Sequence, residues 1–435
     1  MPISSQEFSQ RRQAALANME PHSIALLVGS QNQYRNADTE HPFRQNSSFW
    51  YLTGFQEPNA IALLIKEASD TQFIMFCAPQ NPNEACWIGQ RLGPEGVMET
   101  LGTDDAFPIT ELDTRILQYL SHKTTVYTLW GEHPTFERRL QGWLQSMRQG
   151  ERRGQSVPTQ SIDFRIILEE LRLFKSKAEV ACIQKSVDIS RIAHENAMKR
   201  CRPGLHEYHL HSELMRTFLD HGLLTTAYMP IVGSGKNGCT LHYVDNHKML
   251  QDGHLVLIDA GAEYQGYAAD ITRTFPVNGR FSPEQKALYE LVLLAQTTAI
   301  HALKPGLAWN VIQQTLLNVL VPGLLELGIL TGSVADNLET GAYKKVYMHG
   351  SGHWLGLDVH DAGAYKVNHT WRPLEPHMVL TVEPGLYIPA DKNIDICWHN
   401  IGIRIEDDVL ITENGHRVLS QDLVKTVADL EAFMV

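Results

Sequence analysis

HLVLIDAGAEYQGYAADITRTFPV (254–277) is the stretch that decides the fold. Two apolar runs flank a turn-prone EYQG (263–266), the pattern of an antiparallel strand pair. Each run carries an acid where an apolar residue is expected: Asp259 after LVLI, and Asp270 between Ala269 and Ile271. A turn centred on Tyr264 and Gln265 sets these acids directly opposite one another, on one face, with Cβ atoms roughly 4.5–5.5 Å apart. Two like charges inside an apolar sheet are costly, so something must neutralise them.

A second pair repeats the feature. HMVLTVEPGLYI (377–388) and NIGIRIEDDVLI (400–411) embed Glu383 and Glu406, with the long loop PADKNIDICWHN (389–400) between them. Four carboxylates brought together are balanced by two divalent cations, the charge pattern of a dinuclear site. Oxygen-rich ligation with one or two imidazoles favours Mn, Co, Fe or Mg over thiolate-seeking metals.

Upstream of each pair the pattern is helical and also repeats. A long helical stretch (176–202) ends in PGL (203–205), and a second helix follows through 206–219. SPEQ (282–285) opens a helix with Ser282 as N-cap, Pro283 in the first turn and Gln285 in the capping-box position. That helix also ends in PGL (305–307), 102 residues after the first, and is followed by another helix. The repeat predicts an internally duplicated C-terminal domain with a pseudo-twofold axis that brings the two acid pairs together. The first ~170 residues read differently, with an opening helix (5–19) and strands at 23–29, 60–66 and 71–77. ERRGQSVPTQS (151–161) reads as a connection leading into a helix near 164–175. The fold class is α/β (α+β), with two domains expected at 1–173 and 174–435.

HGSGHWLGLDVHD (349–361) holds three histidines: His349, His353 and His360. The spacing of His349 and His353 fits one helix face, but a helical zinc motif needs Glu where Gly350 stands. The glycines predict loop and strand, with both imidazoles on one side and backbone free to pass close to a bound chain. His242, in CTLHYVDN (239–246), is a fourth candidate. Taken singly, each reads equally well as a satisfied polar residue in a loop. GSGKNG (233–238) does not match the phosphate-loop pattern and reads as a flexible loop beside the site.

Composition narrows the class. The 435 residues carry a net charge of −12 and no basic stripe, which argues against nucleic acid as a partner. The six cysteines are scattered without a C-x-x-C, so neither a disulfide framework nor a thiolate zinc site is expected. TLLNVLVPGLLELGIL (315–330) is interrupted by Asn318, Pro322 and Glu326, which makes it a buried helix rather than a membrane span. The opening residues lack the apolar core of a secretory signal. A cytoplasmic enzyme is the expectation.

Asp259, Asp270, His353, Glu383 and Glu406, in that order, resemble the five metal ligands of the pita-bread metallopeptidases, which include methionine aminopeptidase, prolidase and aminopeptidase P. HGSGHWLGLDVHD, VGSGKNGCTLHY, LTVEPGLYI and the N-terminal FRQNSSFWYLTGFQEPNA (43–60) resemble the bacterial aminopeptidase P branch, over essentially the whole chain. The resemblance implies a pita-bread catalytic domain behind a smaller, creatinase-like α/β N-terminal domain. It implies a Xaa-Pro aminopeptidase with two divalent ions, Mn²⁺ first and Co²⁺, Fe²⁺ or Zn²⁺ as alternatives. Asp270 and Glu406 would bridge the ions, Asp259 would complete one, and His353 with Glu383 the other. Glu383 would also move the proton, His242 and His360 would hold the carbonyl and oxyanion, and His349 with Tyr387 would line the proline pocket. Arg404, two residues before Glu406, would orient that ligand. Trp87, in ACWIGQRLG (85–93), would wall the pocket of a neighbouring subunit, so a homo-oligomer (dimer or tetramer) is expected. Prolidase, limited to Xaa-Pro dipeptides, is the nearest alternative, and a non-catalytic peptide-binding scaffold is the alternative from another class.

Overall fold

The structure, a computed structural model, describes residues 3–153 and 156–434. The chain divides into two compact units, one up to Arg172 and one from Leu173 onward.

In the N-terminal unit the apolar runs become the middle of a six-stranded sheet. Ser23–Val28 pairs antiparallel with Ile61–Lys66, which pairs antiparallel with Thr71–Cys77. Asp105–Pro108 and Thr125–Thr128 add in parallel on either side. Ile24, Leu26, Leu63, Ile74 and Phe76 are buried together with Leu140 and Trp143 of the helix Pro134–Arg148. The opening helix is Ser5–Asn18, capped by the Ser4 side chain on the Glu7 amide. The expected connection at 151–161 differs from expectation. Positions 154–155 lie outside the described residues, but Gln160–Asp163 is the edge strand of this sheet, parallel to Thr125–Thr128. Its polar composition suits an edge, where one face stays wet.

The C-terminal unit is built twice from one plan. In the first half the helix Lys177–Arg200 starts in a Ser176/Glu179 capping box and is followed by the helix Glu207–Asp220. In the second half Pro283–Ala302 starts in the expected Ser282/Gln285 box and is followed by Val311–Glu326, which takes up the apolar 315–330 stretch as far as Glu326. The two PGL turns make matching bonds. Gly204 N–H donates to Leu250 O (2.9 Å) and Leu250 N–H returns to Leu205 O (2.7 Å). Gly306 N–H donates to Leu374 O (2.8 Å) and Leu374 N–H returns to Leu307 O (2.7 Å). Each half therefore delivers its strands from the same anchor.

The first half's sheet runs Ile231–Ser234, Leu255–Asp259, Thr272–Pro276. The second half pairs Val379–Val382 with Asp407–Thr412, and Gly385–Ile388 with Ile401–Arg404. Arg273, fully buried, joins the halves: it donates to Thr272 O (3.0 Å), Glu406 O (2.7 Å) and the Asp407 carboxylate (2.8 Å). Burial opposes an ionised Asp407, but Arg273 and Lys425 outweigh it and hold its pKa below the usual carboxylate range. Removing one partner of such a buried pair costs about 3–5 kcal/mol.

Candidate metal centre

The four acids reach one cavity by two local devices. Asp259 ends its strand, and Asp270 lies just before Thr272–Pro276. The register places Asp259 opposite Thr272, not opposite Asp270 as the turn EYQG suggested. The turn is one residue later, with Tyr264 facing Tyr267. The displacement is two residues, so Asp270 keeps the same face but stands diagonal to Asp259. Gly261 allows the close approach beside it: a Cβ there would lie 1.7 Å from Ala269 O.

Glu383 and Glu406 sit where strands break. Pro384 has no N–H and interrupts the ladder between Val382 and Gly385. The ladders on both sides keep one register, Val382 with Asp407 and Gly385 with Arg404, so Glu383 faces Glu406.

The cavity, about 360 Å³, is lined by Asp259, Asp270, Glu383 and Glu406 with His242, His349, His353, His360, Tyr365 and Arg404. A larger cavity of about 730 Å³ in the N-terminal unit has a single acid, Glu132, in its lining and offers no comparable chemistry. The 349–361 stretch is irregular backbone with one bridge, Trp354 to Leu380, rather than a strand. A Cβ on Gly352 would lie 2.1 Å from Thr381 O, so glycine lets the loop pack on the strand, whereas Gly350 lines the cavity with open space beside it. GSGKNG is likewise a strand end and a 3-10 turn, not a flexible loop.

Hydrogen bonds fix two of the four imidazoles. His353 Nδ1 donates to Trp354 O (3.0 Å), leaving Nε2 facing Asp270 Oδ2 (3.3 Å) and Glu383 Oε1 (3.5 Å). Lone pair against carboxylate needs a cation between them, a proton or a metal ion. Burial works against a charged His353, yet Asp270 and Glu383 raise its pKa to about 9. His349 is the opposite case. Burial first, then Arg404, lowers its pKa to about 4, so it is neutral, with Nδ1 donating to Gly350 O (2.7 Å) and Nε2 accepting from Tyr387 (2.9 Å). His242 and His360 stand exposed at the mouth.

The acids are mutually unfavourable. Burial, then repulsion from Asp270, Glu383 and Asp259, pushes Glu406 well above the carboxylate range. Glu383 is pushed up to about 7, burial and the neighbouring Asp270 and Asp259 outweighing His353 and Arg404. Asp259 is raised by burial despite Arg404. Ligand atoms of Asp270, His353 and Glu406 lie within 4.8 Å of one another, close enough to share an ion. Donor type, crowding and charge all fit divalent cations held by oxygen and one imidazole.

Two expectations are corrected here. Arg404 does not reach Glu406. Its guanidinium donates to Asp259 Oδ2 (2.5 Å), Thr272 Oγ1 (3.1 Å) and the Tyr387 hydroxyl (2.9 Å). The two share a face, but Glu406 accepts from Thr272 Oγ1 (2.6 Å), the hydroxyl that stands between it and Arg404. Tyr387 does not line the cavity; it is buried behind His349 and links it to Arg404. Trp87 lies on the N-terminal unit's helix Pro82–Ile88, 86% exposed, and is not among the cavity's lining residues. Residue-level reading also missed Tyr228. Its hydroxyl lies 2.5 Å from Asp259 Oδ1 and 2.6 Å from Asp270 Oδ1. Nothing in TTAYMP (225–230) signals it.

This fold and this buried acid–imidazole cavity define a metallopeptidase of pita-bread architecture. The pattern of metallopeptidase family M24 matches residues 181–413, and that of the aminopeptidase P N-terminal domain matches residues 8–127. Across 100% of this chain and 98% of the relative, the sequence is 44% identical to the Xaa-Pro aminopeptidase of Escherichia coli K12. A solved aminopeptidase of Pseudomonas aeruginosa superposes with a TM-score of 0.97 at 45% identity, covering 100% of this chain and 99% of that one. E. coli aminopeptidase P with the inhibitor Pro-Leu also superposes at 0.97, with 43% identity and the same coverage. The chain belongs to metallopeptidase family M24 and is a metallo-aminopeptidase in class.

Proposed function

We propose that this chain is a Xaa-Pro aminopeptidase, releasing the first residue of peptides with proline second. The buried cavity of four carboxylates, with His349 and His353 inside it and His242 and His360 at its mouth, carries this reading. Full-length similarity to Xaa-Pro aminopeptidases, N-terminal domain included, supports it over prolidase. The peptidase domain is taken as 174–435 and the N-terminal domain as 1–173.

Asp259, Asp270, His353, Glu383 and Glu406 would hold two divalent ions, Mn²⁺ first, with Asp270 and Glu406 shared between them. When bound, such ions polarise a carbonyl and make water nucleophilic near neutral pH. Glu383 accepts the proton of the attacking water and passes it to the leaving proline nitrogen. His242 and His360 donate N–H bonds to the carbonyl oxygen as it gains charge. Burial, then His353, keeps the His360 pKa low, which favours a neutral donor there. His349 bounds the proline side, backed by Tyr387. Arg404 steadies Asp259, which receives the substrate's free α-amine and so limits cleavage to one residue. Trp87 serves a neighbouring subunit's pocket within a dimer or tetramer. Among the described residues no helix is long and apolar enough to cross a membrane, and a cytoplasmic enzyme is the reading adopted.

Cleavage of Ala-Pro-Ala together with Ala-Pro is the expected result; cleavage of Ala-Pro alone would make it a prolidase. Chelation should abolish turnover and Mn²⁺ restore it, and N-acetylated substrate should resist. Turnover after thorough chelation would end the metal reading.

A further inference from the structure

Each half of the peptidase unit carries its histidines on the segment between its second helix and the strand leading to its first acid, a segment that includes the strand Ile231–Ser234 in the first half and the helix Val334–Thr340 in the second. His242 lies on 221–254, and His349, His353 and His360 lie on 327–378. Corresponding positions at the start of each second helix grip these segments. Glu207 N–H donates to Lys248 O (2.8 Å), and Trp309 N–H donates to Arg372 O (2.8 Å), the same bond in each half.

The two side chains grip differently. The Trp309 ring packs 4.2 Å from Trp354 and 4.8 Å from Tyr365, on the segment between His353 and the end of the histidine loop. Glu207 is fully buried and takes five hydrogen bonds. Oε1 accepts from Ser234 N (2.8 Å), Ser234 Oγ (2.8 Å) and Asn237 Nδ2 (3.1 Å). Oε2 accepts from the Tyr243 hydroxyl (2.8 Å) and Lys248 N (2.8 Å). All five donors lie on 234–248, and Tyr243 is the residue next to His242. A carboxylate is an acceptor only, so five donors suit it. Its place in the first turn of Glu207–Asp220 also favours negative charge. A buried carboxylate is an expensive way to secure a loop, and the Trp309 side chain does the matching work through ring contacts. What Glu207 adds is direction, since it fixes donors on both sides of His242.

We infer that Glu207 is a positioning residue for His242, holding the 234–248 segment so that this imidazole meets the scissile carbonyl. The inference rests on the reading of His242 as a donor to that oxygen. Glu207→Gln keeps size and one acceptor oxygen but presents an amide N–H₂ where an acceptor is required. It should lower kcat roughly 10- to 100-fold, the scale of an ångström of misplacement, with KM within about threefold. Mn²⁺ titration by calorimetry should match the parent. In a His242→Ala background the same substitution should cost less than about twofold, because partners acting through one group are non-additive. Tyr243→Phe, which removes only a hydroxyl, should lower kcat about threefold and lose that penalty in His242→Ala. It decides the matter if Glu207→Gln does not fold. Equal penalties with and without His242 would overturn the inference. No change in kcat for His242→Ala alone would instead overturn the role assigned to His242, a separable outcome.

Discussion

The two strand pairs that build the metal centre solve one problem differently. In the second half Glu383 and Glu406 face each other across interrupted ladders. In the first half the residue opposite Asp259 is Thr272, and the second acid, Asp270, is displaced by two positions. The place an acid would occupy is taken by a hydroxyl that receives Arg404 Nε and donates to Glu406 Oε2. Perfect symmetry would set four carboxylates around one point. The displacement replaces one close repulsion with a polar strut between the halves, and Arg404 bonds directly to the first-half acid Asp259 while also easing the charge at Glu383 and Glu406.

The largest test of this asymmetry removes an acid. Glu406→Ala should lose metal by calorimetry and lower kcat/KM by about 10³-fold or more, and Asp270→Ala should do the same. If either kept two ions, that acid would not be shared. Next comes pH. His353 at about 9 and Glu383 at about 7 must both release protons to ligate. Metal affinity should therefore rise steadily with pH from 6 to 8, and Glu406, also held above the usual carboxylate range, adds to the slope. A flat profile by titration at pH 6, 7 and 8 would remove those groups from the ligand set. Thr272→Val tests the strut. It strands Arg404 Nε and Glu406 Oε2, and should cost about 1–3 kcal/mol of stability and weaken metal binding more than Thr381→Val, which removes the second-half hydroxyl that donates to Glu383 Oε1 (3.3 Å). Equal effects would mean that the displaced register has no energetic meaning.

The smallest effect concerns the first half alone. His194 is wholly buried, with Nε2 on Ala260 O (3.0 Å), and burial lowers its pKa to about 4. Between pH 6.5 and 4 the unfolded chain binds a proton that the folded chain does not. Its contribution to stability therefore falls as pH falls through that window, by at most about 1.4 kcal/mol per unit. Urea midpoints of the metal-free protein at pH 7 and 5 should show a steeper acid-side loss than those of His194→Gln.

Much of this was legible in the sequence, for physical reasons. An acid in an apolar strand is anomalous in one dimension, so Asp259, Asp270, Glu383 and Glu406 announce themselves. Capping boxes and PGL turns are local chemistry, and the helix start at Ser282 follows from its box. Register is less secure: a turn shifted by one residue moves every facing pair by two while preserving faces, so the site survived an error in pairing. Arg404, Tyr387, Tyr228 and Glu207 act through contacts over 17 to 145 residues of chain, and no local pattern encodes such partners. The edge strand Gln160–Asp163 was hidden by its polarity.

The halves do not interleave: all first-half elements precede Ser282, and all second-half elements follow it. Neither alone owns a complete set of ligands, since Asp259 and Asp270 lie in one and His353, Glu383 and Glu406 in the other. A chain divided in the turn near Gly279 would yield two inert fragments whose reunion creates the enzyme. The architecture thus lends itself to a split reporter, in which proteolysis reads out whether two fused proteins have met.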